Sequence, residues 1–525
     1  MCYDCEPAGH LFLPYGRRSH AARSPQASPS MKIQPFLEHH GIAANPFADE
    51  DAQTDLVFKG ACIRNTYHPA WDKIYGDPSE PATAVVFGEK GSGKTALRLQ
   101  IAHHLTDHNA DHPEHQVFVV EYDDANPFLD RFRDRFSRRS RPQRVLKHWR
   151  LWDHMDAILS LGVTQLVDRI LENRQARHPA ARDEPLPIKS LDASQIRDVM
   201  LMAACYDQST AENVEQRWRR LRRKLGFRTW RSKWDWAVGI AVTLAVLVLI
   251  VSLGKWGWFL SRWPYLFIAA GWIPRAWRCA RWFWKARRVG RNTRALKHST
   301  NLLRRVLMNF TGGQIVAQPL PMSQRTDDRY EMLGKLQNVL RSLKFDGMAV
   351  LVDRVDEPYL INGSTELMKS LVWPMLDNKF LKHPGLGIKL LLPIELERLI
   401  DRESSEFHQR ARLDKQNLIR SLAWTGQSLY DVANARITAC AAPDHYPELT
   451  RLFEDQIDPH RLTDAFATLR VPRHMFKFMY RLFTTHCNAH SDENPVWKIS
   501  SGTFESVLAL YQRDQEAFDR GEGAG

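Results

Sequence analysis

Cysteine is scarce in this chain: seven residues in 525, odd in number and scattered from Cys2 to Cys487. That excludes a disulfide framework and fits a reducing compartment for the soluble parts. Cys2 and Cys5 form a lone C-x-x-C with no second pair at metal-ligand spacing, and read as incidental. Residues 1–30 lack the long apolar core of a secretory signal and are rich in Ser, Pro, Arg and Gly. Met31 opens a better-behaved stretch, so residues 1–30 are expected to be a disordered or non-native extension. Acidic residues are missing from two short stretches, 217–233 and 275–297, which carry nine Lys or Arg each. The whole chain stands at +13, and taking those 18 charges away leaves −5. The basicity is therefore two local collars, and nucleic acid is not an expected partner.

Between the collars lies a long apolar run. Trp236 to Leu253 has no charge and no proline and is dominated by Ala, Val, Leu and Ile. It is long enough to cross most of a bilayer. The following stretch, 256–273, is weaker, with Arg262 and Pro264 inside it. It spans only if tilted, with Arg262 reaching back to the interface. Tryptophans 234, 236, 256, 258, 263, 272 and 277 flank the pair as an aromatic belt would. Basic collars on both outer flanks predict a transmembrane hairpin with both ends cytoplasmic. A buried core hairpin and a membrane-embedded but non-spanning hairpin are the alternatives.

The most specific pattern lies upstream. Gly88-Glu89-Lys90-Gly91-Ser92-Gly93-Lys94-Thr95 fits G-x-x-x-x-G-K-[ST] at every fixed position. An apolar run, Ala84 to Phe87, precedes it and a helix-forming run, Ala96 to Ala102, follows. Glycines let backbone N–H groups face a phosphate without Cβ obstruction, and a helix N-terminus favours negative charge. Lys94 is expected to reach the β/γ-phosphates of a bound nucleotide, and the Thr95 hydroxyl to bind Mg²⁺.

Further along, Val117 to Tyr122 reads as a second strand. Residues 130–215 read as mostly helical, with apolar positions from Trp149 to Ile170 at helical spacing. Another amphipathic helix carries Leu333, Leu336, Val339, Leu340 and Leu343. Met348 to Val352 then forms an apolar strand that ends on Asp353. Asp353 would hold Mg²⁺ beside Thr95. Asp356 or Glu357 could orient or deprotonate an attacking water, a solvated turn being the plain alternative. Arg354 stands directly after the acid, where many ATPases have a catalytic Glu. Ile388 to Leu392 is another core strand, ending at Pro393, and Arg402, Arg410 and Arg412 are candidates for an arginine finger.

These residues resemble the KAP family of P-loop NTPases, within the group that includes AAA+ and NACHT-type ATPases. GEKGSGKT matches the Walker A form, and LVDRVDE matches an apolar strand ending in spaced acids. The apolar pair lies between the two motifs, as in KAP proteins. Val471-Pro472-Arg473-His474-Met475-Phe476-Lys477 is similar to the Asn-Pro-Arg helix of the lid, without its Asn; a second Asp directly after Asp353 is also missing. The resemblance implies an α/β P-loop NTPase with a parallel sheet, a helical lid and a helical insert containing the hairpin. It implies ATP and Mg²⁺ as cofactors and Arg473 as a sensor on the nucleotide. The expected organisation is 31–129 and 336–440 for the two parts of the ATPase domain and 130–335 for the insert. The hairpin falls at about 236–253 and 256–273, and 441–525 form the lid and tail. The expected function is hydrolysis of ATP-Mg on the cytoplasmic side of a membrane, with lipid and a second copy of the chain as possible partners. A nucleotide-gated scaffold with negligible turnover is the alternative, and a DNA-linked initiator-like ATPase a more distant one.

Overall fold

Val85, Val86 and Phe87 are wholly buried because their strand is covered on both faces and hydrogen-bonded on both edges. This strand, β1 (Ala84–Gly88), belongs to a five-stranded parallel sheet with β2 (Gln116–Tyr122), β3 (Phe345–Val352), β4 (Leu386–Pro393) and β5 (Asn417–Ile419). The order is β2-β3-β4-β1-β5. The protein is therefore mixed α/β. The computed structural model describes residues 30–137, 139–172, 186–209, 213–229, 234–254, 256–316 and 318–519. The expectations for residues 1–29, Cys2 and Cys5 included, and for Arg231, Lys233 and Lys255 lie outside them.

The two-residue period of the strands sorts side chains between two cores. On one face Ala84, Val86, Val117, Ala349, Leu351 and Leu391 pack on Leu97, Ile101 and Leu105. Those three belong to α2 (Lys94–Asp111), which follows α1 (Ile33–His39) in the chain. On the other face Val85, Phe87, Phe118, Val120, Val350 and Leu390 share a core with helices of the insert. The insert holds α3 (Leu151–Leu171), α4 (Ala193–Tyr206), α5 (Val214–Lys224), the hairpin helices α6 (Trp234–Ser252) and α7 (Arg262–Asn292), and α8 (Thr300–Leu307), and all of these but α6 supply residues to that core. After them α9 (Asp327–Ser342) leads into β3. Most of the insert thus completes the core of the sheet. Inside it, Arg329 forks onto Asp156 at 3.0 Å through both Nε and Nη2, and the Tyr206 hydroxyl donates to the same carboxylate.

β3 begins at Phe345, so Asp346 and Gly347, which look like a turn in the sequence, are strand residues. Pro81 packs so close to Gly347 that a Cβ there would lie 2.7 Å from its Cγ. In β4 the buried Lys389 donates to the carbonyls of Ile74, Tyr75 and Ala82 at 2.6 to 2.9 Å. Burial pushes its ammonium down to about 8.

The apolar pair forms two antiparallel helices, but with other limits than the sequence suggests. The second segment is a short turn, Trp256–Leu260, and then a single helix that starts at Arg262 and runs through Pro274 to Asn292. Pro274 has no N–H, yet the turns on both sides hold the helix together through their own bonds. Among the described residues only α6 is long and apolar enough to cross a membrane, with 17% of its apolar window buried. Small residues let the two helices meet: a Cβ on Gly271 would lie 2.7 Å from Val242, and one on Gly239 2.9 Å from Trp272. Trp272 Nε1 donates to Thr243 Oγ1 at 3.2 Å. At the base, buried Asp235 pairs with Arg275 at 3.1 Å and Arg278 at 2.9 Å. Two more collar residues turn inward, Arg217 onto Asp168 and Asp207 and Arg294 onto Asp153.

After β4 comes α10 (Ile394–Ile400), then the C-terminal helices α11 (Gly426–Ala439), α12 (Pro459–Leu469), α13 (Pro472–Ala489) and α14 (Ser501–Asp519). They form a third core with Met31, Phe36, Leu37, Ile42 and Phe47 from the other end of the chain.

Candidate functional site

The glycine loop leaves β1 at Gly88, whose Cα is level with Pro393 at the end of β4. Gly91 and Gly93 adopt φ of +88° and +93°, a region that side chains with a Cβ rarely enter. A methyl group on Gly88 would run into Ser92 Oγ, a buried hydroxyl with no hydrogen-bond partner. Lys94 opens α2 and curls back over the loop, donating to Gly88 O at 2.8 Å and Glu89 O at 2.9 Å. Burial lowers its pKa, opposed by the charges of Asp353, Asp356 and Glu395. Glu89 and Lys90 lie exposed at the loop's outer turn.

The partner acid is contributed by β3. Tyr122 and Val352 are paired at the ends of β2 and β3, so the next residue, Asp353, emerges at the same edge of the sheet as the glycine loop. Thr95 Oγ1 donates to Asp353 Oδ2 at 2.9 Å, across 258 positions of sequence. Arg98, three residues after Thr95 and on the same helix face, is only 2% exposed. It pairs with Glu121, lies 3.4 Å from Asp123 and has Nε 3.5 Å from Asp353 Oδ2. Arg98 is absent from the sequence expectations. The available signal was its position one turn beyond the threonine.

Beyond Asp353 the chain turns sharply, and Arg354 takes a left-handed φ of +57°. That backbone carries Asp356, half-buried and within electrostatic reach of Lys94, back toward the site. Glu357 is exposed and lies 3.4 Å from the Arg354 guanidinium. Partial burial is the main cause that raises its pKa; the Arg354 charge opposes this and Asp356, Asp353 and Asp51 add to it.

The third core reaches the loop through two residues. Arg473, in the first turn of α13, rests on Gly91, where a Cβ would lie 2.7 Å from its own. Trp424 donates its indole N–H to Ser92 O at 2.8 Å and stands edge-on to His68. The arginine-finger candidates are engaged otherwise: Arg412 turns onto Asp414 at 3.3 Å and Arg410 lies over the Phe407 ring, while Arg402 is exposed. Among the described residues no group of three or more His, Cys, Asp or Glu is arranged to hold a metal alone. In comparisons with family models, curated proteins and solved structures, nothing matches this chain.

Proposed function

We propose that this protein is a membrane-associated P-loop ATPase, of the KAP type suggested by its motifs, working on the cytoplasmic side. The observation that supports the reading is the 2.9 Å contact of Thr95 with Asp353 beneath a glycine loop with two left-handed glycines. The residues fit ATP and Mg²⁺. The loop from Gly88 to Thr95 offers N–H groups at a helix N-terminus, and the orphaned Ser92 hydroxyl adds a donor. A lone hydroxyl and carboxylate suit Mg²⁺, which takes few protein ligands and keeps phosphate oxygens and waters. When bound, Mg²⁺ would neutralise charge developing on the phosphates.

Lys94 then leaves the carbonyls of Gly88 and Glu89 for phosphate oxygens. Thr95 and Asp353 would be the residues that hold the cation, with Arg98 behind Asp353. Asp356 and Glu357 stand at the sheet edge where a water would attack, and partial burial raises the pKa of Glu357. Arg473 carries the lid helix onto the loop and would report nucleotide state to the third core. The α6–α7 hairpin serves as the membrane anchor, both ends cytoplasmic. Its α6 side chains such as Val248, 65% exposed, have no protein cover on their outer face.

A nucleotide-gated scaffold with negligible turnover is the second reading, favoured by the Arg354–Glu357 ion pair, which restrains the base. ATP hydrolysis by the detergent-solubilised protein tests both. Lys94→Ala and Asp353→Ala should abolish turnover, and Glu357→Ala should keep ATP binding while losing about a hundredfold or more in rate. Wild-type turnover matching the Lys94→Ala background, with ATP still bound, would favour the scaffold. Failure to bind ATP would overturn both.

A further inference from the structure

Where the hairpin leaves the globular part, a cleft of about 260 Å³ opens between α5, α7 and α8. Five guanidinium groups line it, from Arg219, Arg222, Arg275, Arg278 and Arg305, against one carboxylate, Glu215. A second acid, Asp235, lies buried behind it and is shared by Arg275 and Arg278. Those two are the sheltered groups, with 23% and 13% of their side chains exposed. Arg219 and Arg305 stand on the rim, 60% and 62% exposed, and share Glu215 between them. Trp236, from the first turn of α6, also lines the cleft, and the Arg275 guanidinium lies 3.9 Å from its ring centre.

Packing does not require this arrangement. Guanidinium groups gathered around one cleft repel each other, and among the described residues they outnumber the carboxylates beside them five to two. A phosphate ester would offset it, since the planar fork of arginine matches two phosphate oxygens at once. The place in the fold selects the source of the phosphate. The cleft opens at the level of Trp234, Trp236 and Trp277, which are 56%, 43% and 72% exposed at the hairpin base. Tryptophans take that position at the headgroup layer of a bilayer.

We propose that this cleft binds the phosphate headgroup of an anionic phospholipid, so that the protein recognises lipid type as well as lying in the membrane. This rests on the reading of α6 and α7 as a membrane hairpin. Binding would couple the hairpin, through Arg278 on the carbonyls of Met308 and Phe310, to the insert that covers the sheet.

The test is a titration of the detergent-solubilised full chain with dioctanoyl phosphatidic acid. Saturable binding is expected, weakened roughly tenfold or more in Arg219→Gln/Arg305→Gln, whose exposed side chains contribute little to folding. Arg287→Gln/Arg291→Gln removes the same charge from exposed positions on α7 outside the cleft and should change affinity less than about twofold. Absence of saturable binding, or equal loss in both pairs, overturns the site. Displacement by equimolar inorganic phosphate overturns the lipid as its source. The hairpin reading is tested apart, by alkali-resistant retention in phosphatidylcholine vesicles. Release there sinks that reading and the cleft with it, whereas retention without phosphatidic acid binding sinks the cleft alone.

Discussion

At Arg98 one side chain faces three carboxylates at once. It sits 2% exposed among Glu121, Asp123 and Asp353, carboxylates from two neighbouring strand ends. Truncating it leaves the buried Asp353 with Lys94 as its nearby positive charge, beside the half-buried Glu121 and Asp123. Arg98→Ala should therefore cost about 3 kcal/mol in the absence of nucleotide. Millimolar Mg²⁺ alone should restore part of the loss, and thermal melts with and without Mg²⁺ read this directly. Asp153 offers a second test at the same scale. Burial raises its carboxyl to about 6 despite the Arg294 fork, from an ordinary 3.8. In that window the folded chain holds a proton that the unfolded chain releases, so this group's contribution falls as pH rises from about 4 to 6 and is flat above. Denaturant midpoints at successive pH values should show a shallower fall over this range in Asp153→Asn.

At the scale of elements, the hairpin depends on close approach of its two helices. Gly271 and Gly239 allow it, because a Cβ at either would enter Val242 or Trp272. Gly271→Ala should lower stability in detergent by about 1 to 3 kcal/mol through overpacking. Gly257→Ala, with nothing within 4 Å of its Cβ position, should be neutral; a melting series with both variants checks the pair. The limits of the second hairpin segment were not legible in the sequence. Proline and Arg262 suggested a weak, short span, whereas a helix continues across Pro274 to Asn292 because α8 and the insert core hold its C-terminal half. Trp282, Ala286 and Val289 are buried there.

For the whole molecule, residues 31–47 and the C-terminal helices meet in one core. Phe36, Leu37, Ile42 and Phe47 are buried among helices α11 to α14. A buried ion pair locks this junction: Arg436 Nη1 to Asp55 Oδ2 at 2.6 Å, with Nε donating to Pro46 O at 2.6 Å. Arg436→Met should leave Asp55 uncompensated and cost about 3 to 5 kcal/mol, read as a shift of the urea midpoint. It should also loosen the helices that carry Trp424 and Arg473 onto the glycine loop.

The sequence by itself determined the local pieces of this protein. The glycine loop with Lys94 and Thr95, the apolar runs of β1 to β4, the helical character of much of 130–215 and the apolar run Trp236–Leu253 follow from periodicity and residue type. These are short-range properties, set within a few turns of chain. Tertiary structure alone decided which pieces meet. It placed β4 between the glycine-loop strand and the acid strand, brought Asp353 to Thr95, and folded the N-terminal segment into the C-terminal core. It also buried Arg98 and gathered five arginines into one cleft. Charged side chains carry no period that forecasts a partner hundreds of residues away. Their neighbours are chosen by the packing of the apolar faces, and the electrostatics follow from that packing.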